Sequence, residues 1–411
     1  MGKILKNYKS TIILLGAIII GAIAGVVFKE DAKVVSPLGD LFLNMLLVII
    51  VPLIFLNITS AICKMEKPKR LGKIIGSIIL VFAITSVIAV FIGFGATQVT
   101  SLVSSESGDV IKAGLSTEEE ELDQEMNIAD KTVSLLTTND FQKLFSKENI
   151  IALLVASIIV GIATNMTGEK AEPFKKFIFS ANEVMGNIVK IIMYYAPIGL
   201  GCYIASFIGT FGSEIAVGYL KTFIIYLVVS LLYFFVMYSL YAFIAGGKKA
   251  VINFWKYVLP AAATAVGTCS SAASIPVNIK ASKNMGVPDD IAETTIPLGT
   301  SFHKDGSIIG SVFKLMFLVC LFGTAASVPQ IIGISLLATL LVTAVPIGGG
   351  TISEMLIITM MGFPVASLPI LTIIATIIDA PATLLNVVGD DTSSMLVARI
   401  VDGKKWIDKG E

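Results

Sequence analysis

Charge is what this 411-residue chain has least of: 15% of its residues are Asp, Glu, Lys or Arg, against 55% hydrophobic, at a mean hydropathy of +0.87. Soluble globular domains carry about 25% charged residues, so that class is excluded. The 30 basic and 30 acidic residues cancel to a net charge of zero, and nothing in that balance calls for a nucleic-acid partner. Cysteine is scarce as well. Cys63, Cys202, Cys269 and Cys320 sit in or beside apolar segments without paired spacing, which argues against disulfides and thiolate metal sites and leaves small buried residues. A convincing small-residue cleavage site is missing after the first apolar run, Thr11 to Phe28, so that run reads as a retained helix and not a signal peptide. G-x-S-x-G elbows and zinc motifs are absent too. An intramembrane hydrolase would have to be built from Ser270 or Ser271 with the single histidine, His303, and no motif supports it.

Long apolar runs are what the chain has instead. A helix needs about 20 apolar residues to cross a hydrocarbon core, and candidates occur at Tyr8–Phe28, Leu41–Cys63, Ile75–Val99, Ile150–Thr167, Phe174–Phe211 and Val217–Ala245. Basic residues fall on alternate connections: Lys3, Lys6 and Lys9; Lys64, Lys67, Lys69, Arg70 and Lys73; Lys170, Lys175 and Lys176; Lys248 and Lys249. The positive-inside rule makes that side, with the N-terminus, cytoplasmic. The polar stretch Ser101–Glu148, with Glu118 to Glu121, then forms a solvated external loop.

Beyond Lys249 the pattern changes. Val251–Val266 and Pro276–Ala281 are short arms around Gly267–Ser274, and Ile331–Thr343 and Ile352–Met361 flank Ala344–Thr351. Each reads as a hairpin that enters the membrane and turns back at a small-residue tip, which is tolerated where irregular backbone lines a cavity. Each precedes a long segment interrupted by polar residues, Thr294–Val328 and Pro364–Ile400. Hairpin plus broken helix, twice over, points to an internal repeat with its site at the midplane.

Two places inside these segments carry chemistry. Gly299-Thr300-Ser301-Phe302-His303-Lys304-Asp305-Gly306 puts three ionisable side chains in an apolar stretch, where they persist only beside a cavity, a partner or an ion. Further on, Asp379, Thr383, Asn386 and Asp390 follow i, i+4, i+7, i+11 and share one helical face. On that face one carboxylate is suited to an ammonium group, the amide to a carboxylate, and the other carboxylate, with backbone carbonyls, to a hard cation. A self-satisfied polar network between helices is the alternative.

With these motifs in order the chain resembles the dicarboxylate/amino acid:cation symporter family, from the first helix to about Arg399. The resemblance rests on four motifs. They are the serine-rich tip Cys269–Asn278, the segment Ser301–Gly306 where the family usually reads T-x-N-M-D-G, the Val-Pro and glycines of the second tip, and D-x-x-x-T-x-x-N-x-x-G-D at Asp379–Asp390. It implies an all-α polytopic membrane protein of the elevator fold, with eight transmembrane helices, two re-entrant helical hairpins and inverted repeats, assembled as a homotrimer. Scaffold helices one and two would occupy 1–74, helix three of the transport unit 75–100, the external loop 101–148, scaffold helices four and five 149–212, helix six 213–250, the transport core 251–403 and a cytoplasmic tail 404–411. Asp379 would bind the substrate amino group, Asn386 and the backbone near Ser270 and Ser271 its carboxylate, with Ser307, Ala382 and Thr383 lining the pocket. Val345 and Gly350 belong to the second hairpin, the gate. Asp390 with carbonyls near Gly299, His303 and Asn386 matches one sodium site, and Asp305 with Thr85 and Ser86 a second.

The departures shape the expected function. Family members that carry acidic amino acids usually have an arginine at the position of Ala382, and Cys269 stands where some relatives have another. The expectation is a secondary active symporter for a small neutral amino acid, serine, alanine or threonine, coupled to Na+ or H+ and needing no other cofactor, in a bacterial plasma membrane. The alternative is an acidic amino acid or dicarboxylate, with Lys304 replacing the arginine. A channel or a transport-dead sensor on the same fold is a rival class. His303, Lys304 and Phe82 replace the family's asparagine, methionine and tyrosine. An ammonium beside Asp305 would take the electrostatic role of a bound sodium, or His303 would supply proton coupling, or Lys304 would only neutralise Asp305 or Glu354. Lys314 and Glu354 are further charges within the apolar segments, and an ion pair between them is one reading. If Lys304 is a built-in cation, Lys304→Met will change ion dependence or stoichiometry in uptake assays; unchanged values would refute that role.

Overall fold

The computed structural model describes residues 2–63, 71–99, 102–103, 137–146, 149–211, 214–340, 351–404 and 406–408. Among them the regular elements are all helical and no strand occurs. That is the expected answer for apolar segments without water, because a helix closes its backbone hydrogen bonds within one segment. The first five apolar runs become α1 (Gly2–Phe28), α2 (Ser36–Cys63), α3 (Leu71–Gln98), α4 (Ile150–Thr167) and α5 (Glu172–Phe211). Next, α6 (Glu214–Leu232) continues through a π turn at Tyr233–Met237 into α7 (Tyr238–Tyr257). A break at Gly246 and Gly247, the latter at φ 66°, ends the apolar run where the sequence ends it, near Ala245.

The first hairpin is α8 (Leu259–Thr268) and α9 (Ser271–Asn284). Its tip is tighter than the expected Gly267–Ser274. Cys269 takes the left-handed conformation (φ 46°, ψ 36°) that ends α8, and the Ser270 hydroxyl caps α9 by accepting from the Ala273 amide at 3.2 Å. The interrupted segment after it does break, into α10 (Asp289–Phe302) and α11 (Asp305–Phe322). The second hairpin has arms α12 (Val328–Leu340) and α13 (Thr351–Met361); its tip, with Val345 and Gly350, lies outside the described residues. The last segment departs from expectation. Instead of a second broken helix it is one continuous α14 (Leu368–Asp402) that runs through Pro381. Most of the loop 101–148 is outside the described residues, as are Lys64 to Arg70.

Four helical stretches among the described residues are long and apolar enough to cross a membrane: Lys73–Gln98, Ala216–Tyr257, Asp289–Phe322 and Val365–Asp402. A bent pair, Val155–Ile192 with Tyr194–Thr210 at 51°, makes a fifth if it is one span. The helices fall into two groups. α1, α2, α4 and α5 pack on one another, while α3 and α6 to α14 gather around α14. Between the groups contacts are sparse, chiefly α1 with α8 and α14, α2 and α4 with α13, and α5 with α6 and α14.

Without a hydrophobic driving force between helices in lipid, close backbone approach at small residues supplies the packing. In the first group Gly21 of α1 lies against the backbone of Gly201 in α5. In the second, Gly306 of α11 lies directly on the Ala382 backbone of α14, where a Cβ would collide. Gly306→Ala is therefore expected to destabilise the fold by about 1–3 kcal/mol, whereas Gly16→Ala, with nothing within 4 Å of a new Cβ, will be neutral. Thermal unfolding in detergent measures the difference.

Candidate functional site

The break between α10 and α11 creates the first part of the site. His303 is extended (φ −125°, ψ 114°), and its amide closes α10 by donating to the Gly299 carbonyl at 2.8 Å. Lys304 is also non-helical (φ −147°, ψ 75°), and Asp305 opens α11, where a carboxylate meets the positive end of the helix dipole. All three side chains are buried. The two-residue step turns the imidazole of His303 between α3, α11 and α14.

Its Nε2 lies 2.8 Å from Thr85 Oγ1 and 3.1 Å from Asp305 Oδ1, and its Nδ1 lies 3.2 Å from Asp390 Oδ1. The Phe82 ring stacks on it with centroids 4.4 Å apart and planes 14° from parallel. The Thr85 hydroxyl donates back to the Val81 carbonyl at 2.9 Å, so it accepts from Nε2. A ring with both nitrogens protonated satisfies Thr85 and Asp390 together, whereas a neutral ring with the Nε2 proton would point its Nδ1 lone pair at a carboxylate. Asp305 Oδ1 faces the ring off the hydrogen-bond direction and, like Asp390 Oδ2, has no hydrogen-bond partner among the described residues.

The side chains of the two cation sites that the resemblance implies thus meet at one imidazole. At Thr85 and Asp305 the ring fills the space between the oxygens, so the residues present do not fit an added sodium there; Ser86 is buried next to Thr85. At Asp390 the carboxylate lies directly on Gly299 with no room for a Cβ, and its Oδ2 is buried. Lys304 is buried, and its charge acts on Asp390.

The second part of the site is the polar face of α14. The Asn386 side chain grips Ser307 of α11 at two points: Oδ1 accepts from the Ser307 amide at 3.1 Å and Nδ2 donates to its hydroxyl at 3.0 Å. Thr383 donates to Asp379 Oδ1 at 3.4 Å. Ala382 sits beside them against Gly306. Ser270 and Ser271 are buried at the start of α9, and the polar contacts of Ser270 stay within the tip: its amide donates to Thr268 Oγ1 at 3.2 Å and its carbonyl accepts from Ser274 at 3.0 Å. The tip's own helix reaches α14 lower down, where Asn278 Nδ2 donates to the Val387 carbonyl at 2.9 Å.

Several residues at the site were not singled out from sequence. The Tyr238 hydroxyl, just after the π turn, lies 2.6 Å from the Leu385 carbonyl and 3.4 Å from Asp305 Oδ2. Tyr226 of α6 donates to the Gly306 carbonyl at 2.8 Å. For Tyr238 the sequence signal is the aromatic run Tyr233–Tyr241 within an apolar span; Tyr226 has no such mark. Asp391 is fully buried, with neither carboxylate oxygen partnered among the described residues; the tandem Asp390-Asp391 marks it in sequence.

Comparison with known proteins gives the family. Residues 11–400 match the model of the sodium:dicarboxylate symporter family. The chain belongs to the sodium:dicarboxylate symporter family. It is 27% identical over 395 residues to a proton/sodium-glutamate symport protein of Geobacillus stearothermophilus, covering 93% of this chain and 92% of that protein. It is similarly 27% identical to a C4-dicarboxylate transport protein of Citrifermentans bemidjiense, over 94% and 89% of the two chains. To an L-cystine uptake protein of Bacillus cereus it is 28% identical, over 95% and 87%. Family and relatives are transporters and not enzymes, and the chain is a multi-pass membrane protein with a symporter's need for substrate and cation.

Replacing His303 by the family's usual asparagine leaves Asp305 and Asp390 without the ring between them. Breaking such a buried ionic cluster costs about 3–5 kcal/mol, and an external cation can recover part of it. His303→Asn is expected to lower the melting temperature and to make it rise with NaCl more steeply than the wild type does, against choline chloride as control.

Proposed function

We propose that this family member is a secondary active symporter for a small neutral amino acid of the serine, alanine or threonine type, driven by Na+ or H+. One observation carries the reading: the pocket face of Asp379, Thr383, Asn386 and Ser307 offers an ammonium acceptor and a hydroxyl–amide surface, with Ala382 and no arginine beside it. The chain's two arginines, Arg70 and Arg399, belong to other segments. In this reading Asp379 takes the substrate ammonium. Asn386 exchanges its grip on Ser307 for the substrate carboxylate, with help from the amides at Ser270 and Ser271, where the start of α9 favours negative charge. Thr383 and Ser307 meet the side chain. A side-chain carboxylate would enter without an arginine fork and would be buried at a cost of several kcal/mol.

The coupling cation is assigned to Asp390 Oδ2 with carbonyls near Gly299, His303 and Asn386, and the imidazolium of His303 takes the place of a second cation at Thr85, Ser86 and Asp305. The helix group α1, α2, α4 and α5 is the trimerising scaffold of an eight-span elevator. The group around α14 is the moving unit, with N-terminus and tail cytoplasmic in a bacterial plasma membrane. Val345 and Gly350, on the tip of the second hairpin, close the gate over the loaded pocket.

A second reading is favoured by the relatives' names: an acidic amino acid or dicarboxylate, with Lys304 in place of the arginine and proton coupling. Uptake of labelled serine, alanine and aspartate into proteoliposomes, under a sodium gradient, a proton gradient and neither, separates the two. Sodium- or proton-driven serine or alanine uptake without aspartate uptake is expected; driven aspartate uptake would replace the first reading with the second.

A further inference from the structure

Lys314 and Glu354 have no part in the reading above, yet both are almost fully buried, at 5% and 1% exposure. Lys314 lies seven residues after Ser307 on α11, close to two helical turns, so the two share the face turned to α14. Ser307 holds Asn386 at one end of the pocket. Gly310, between them, faces Ile378, the residue before Asp379, with only 2.8 Å from a would-be Cβ to Ile378 Cδ1. Lys314 therefore lies on the face of α11 turned toward the Asp379 end of the polar face of α14, and its charge acts on Asp379. Its Nζ is 3.5 Å from Glu354 Oε1 and 3.4 Å from Ser353 Oγ. Glu354 is held from its other oxygen, which accepts from the Thr372 hydroxyl of α14 at 2.8 Å.

We propose that Lys314 and Glu354 are specificity-determining residues: Lys314 is the cation that a substrate's second carboxylate would seek, and Glu354 keeps it neutralised. This rests on the functional reading above and deepens it. An acidic side chain entering beside Asp379 meets a pair of zero net charge, so it loses its water without gaining a free counter-ion, whereas a small neutral side chain has far less hydration to lose. Glu354 stands in the first turn of α13, on the returning arm of the second hairpin, so the mask is carried by the hairpin that borders the pocket. One carboxylate on that arm does the work that the missing arginine would otherwise undo.

Removing the mask should therefore admit an acidic substrate. In proteoliposomes of the full chain, the inhibition constant of aspartate against labelled serine uptake is compared with the KM for serine. Glu354→Gln is expected to shift that ratio toward aspartate on the order of tenfold or more, as fits an exposed buried charge. The double variant Lys314→Met/Glu354→Gln should bring the ratio back, which a merely structural role for Glu354 would not do. A ratio unchanged in Glu354→Gln, or a gain that survives in the double variant, overturns the proposal. Should Glu354→Gln fail to fold by size exclusion, Thr372→Val, which loosens Glu354 without removing charge, carries the same readout: a smaller shift toward aspartate supports the mask, and no shift refutes it. The functional reading is tested separately by the wild type alone. If the wild type takes up aspartate in place of serine, that reading falls and the mask with it; if it takes up serine and the variants show no shift, only the mask falls.

Discussion

Charges inside a dry helical interior need partners, and in this molecule the partners come from different helices. Asp305 and Asp390 face the two sides of one imidazole, which also meets Thr85 and stacks on Phe82. That contact ties α3, α11 and α14 together at the non-helical step between α10 and α11. Lys314, Glu354 and Thr372 do the same for α11, α13 and α14. An uncompensated carboxylate in such a place is expensive, and a well-bonded cluster is roughly neutral in energy while fixing one arrangement. The ionic contacts thus join particular surfaces of α3, α11, α13 and α14.

Close approach makes those contacts possible. Gly306 brings α11 onto the Ala382 backbone, and Gly299 lets the Asp390 carboxylate lie on α10. With the backbones that near, the short Asn386 side chain can hold Ser307 at both its amide and its hydroxyl. Tyr226 and Tyr238 add hydroxyls from α6 and α7, satisfying the Gly306 and Leu385 carbonyls behind the site. The polar face of α14 is therefore held by bonds from neighbouring helices at Asn386 and Asp390, while Asp379 accepts from Thr383 of its own helix.

Much of the fold was legible because apolar runs in a membrane have one solution. The first five helices, the break at His303 and Lys304, the first hairpin and the two arms of the second fall where run length and small residues put them. The hairpin tip at Cys269 and Ser270 is shorter than its run of small residues suggests, because the sequence does not show that Cys269 enters the left-handed region and that Ser270 then caps α9 at once. The last segment has polar residues that look like an interruption in the sequence. It stays helical because those residues are bonded sideways, to Ser307 and His303, and leave the helix ladder intact.

The candidate site divides the same way. Helical periodicity alone placed Asp379, Thr383, Asn386 and Asp390 on one face, and burial cost alone marked His303, Lys304 and Asp305, since both follow from spacing along one chain segment. Which cation meets which carboxylate did not follow. Lys304 stood next to Asp305 in sequence, but in the fold His303 bridges Asp305 to Asp390 and Lys314 meets Glu354. Chain neighbours on either side of a helix start point in different directions, while residues 87 and 40 positions apart are brought within bonding distance by helix packing. Sequence determined the elements and the polar stripe; only the packing of α3, α10, α11, α13 and α14 decided the pairing of charges, because pairing is a property of distances across helices.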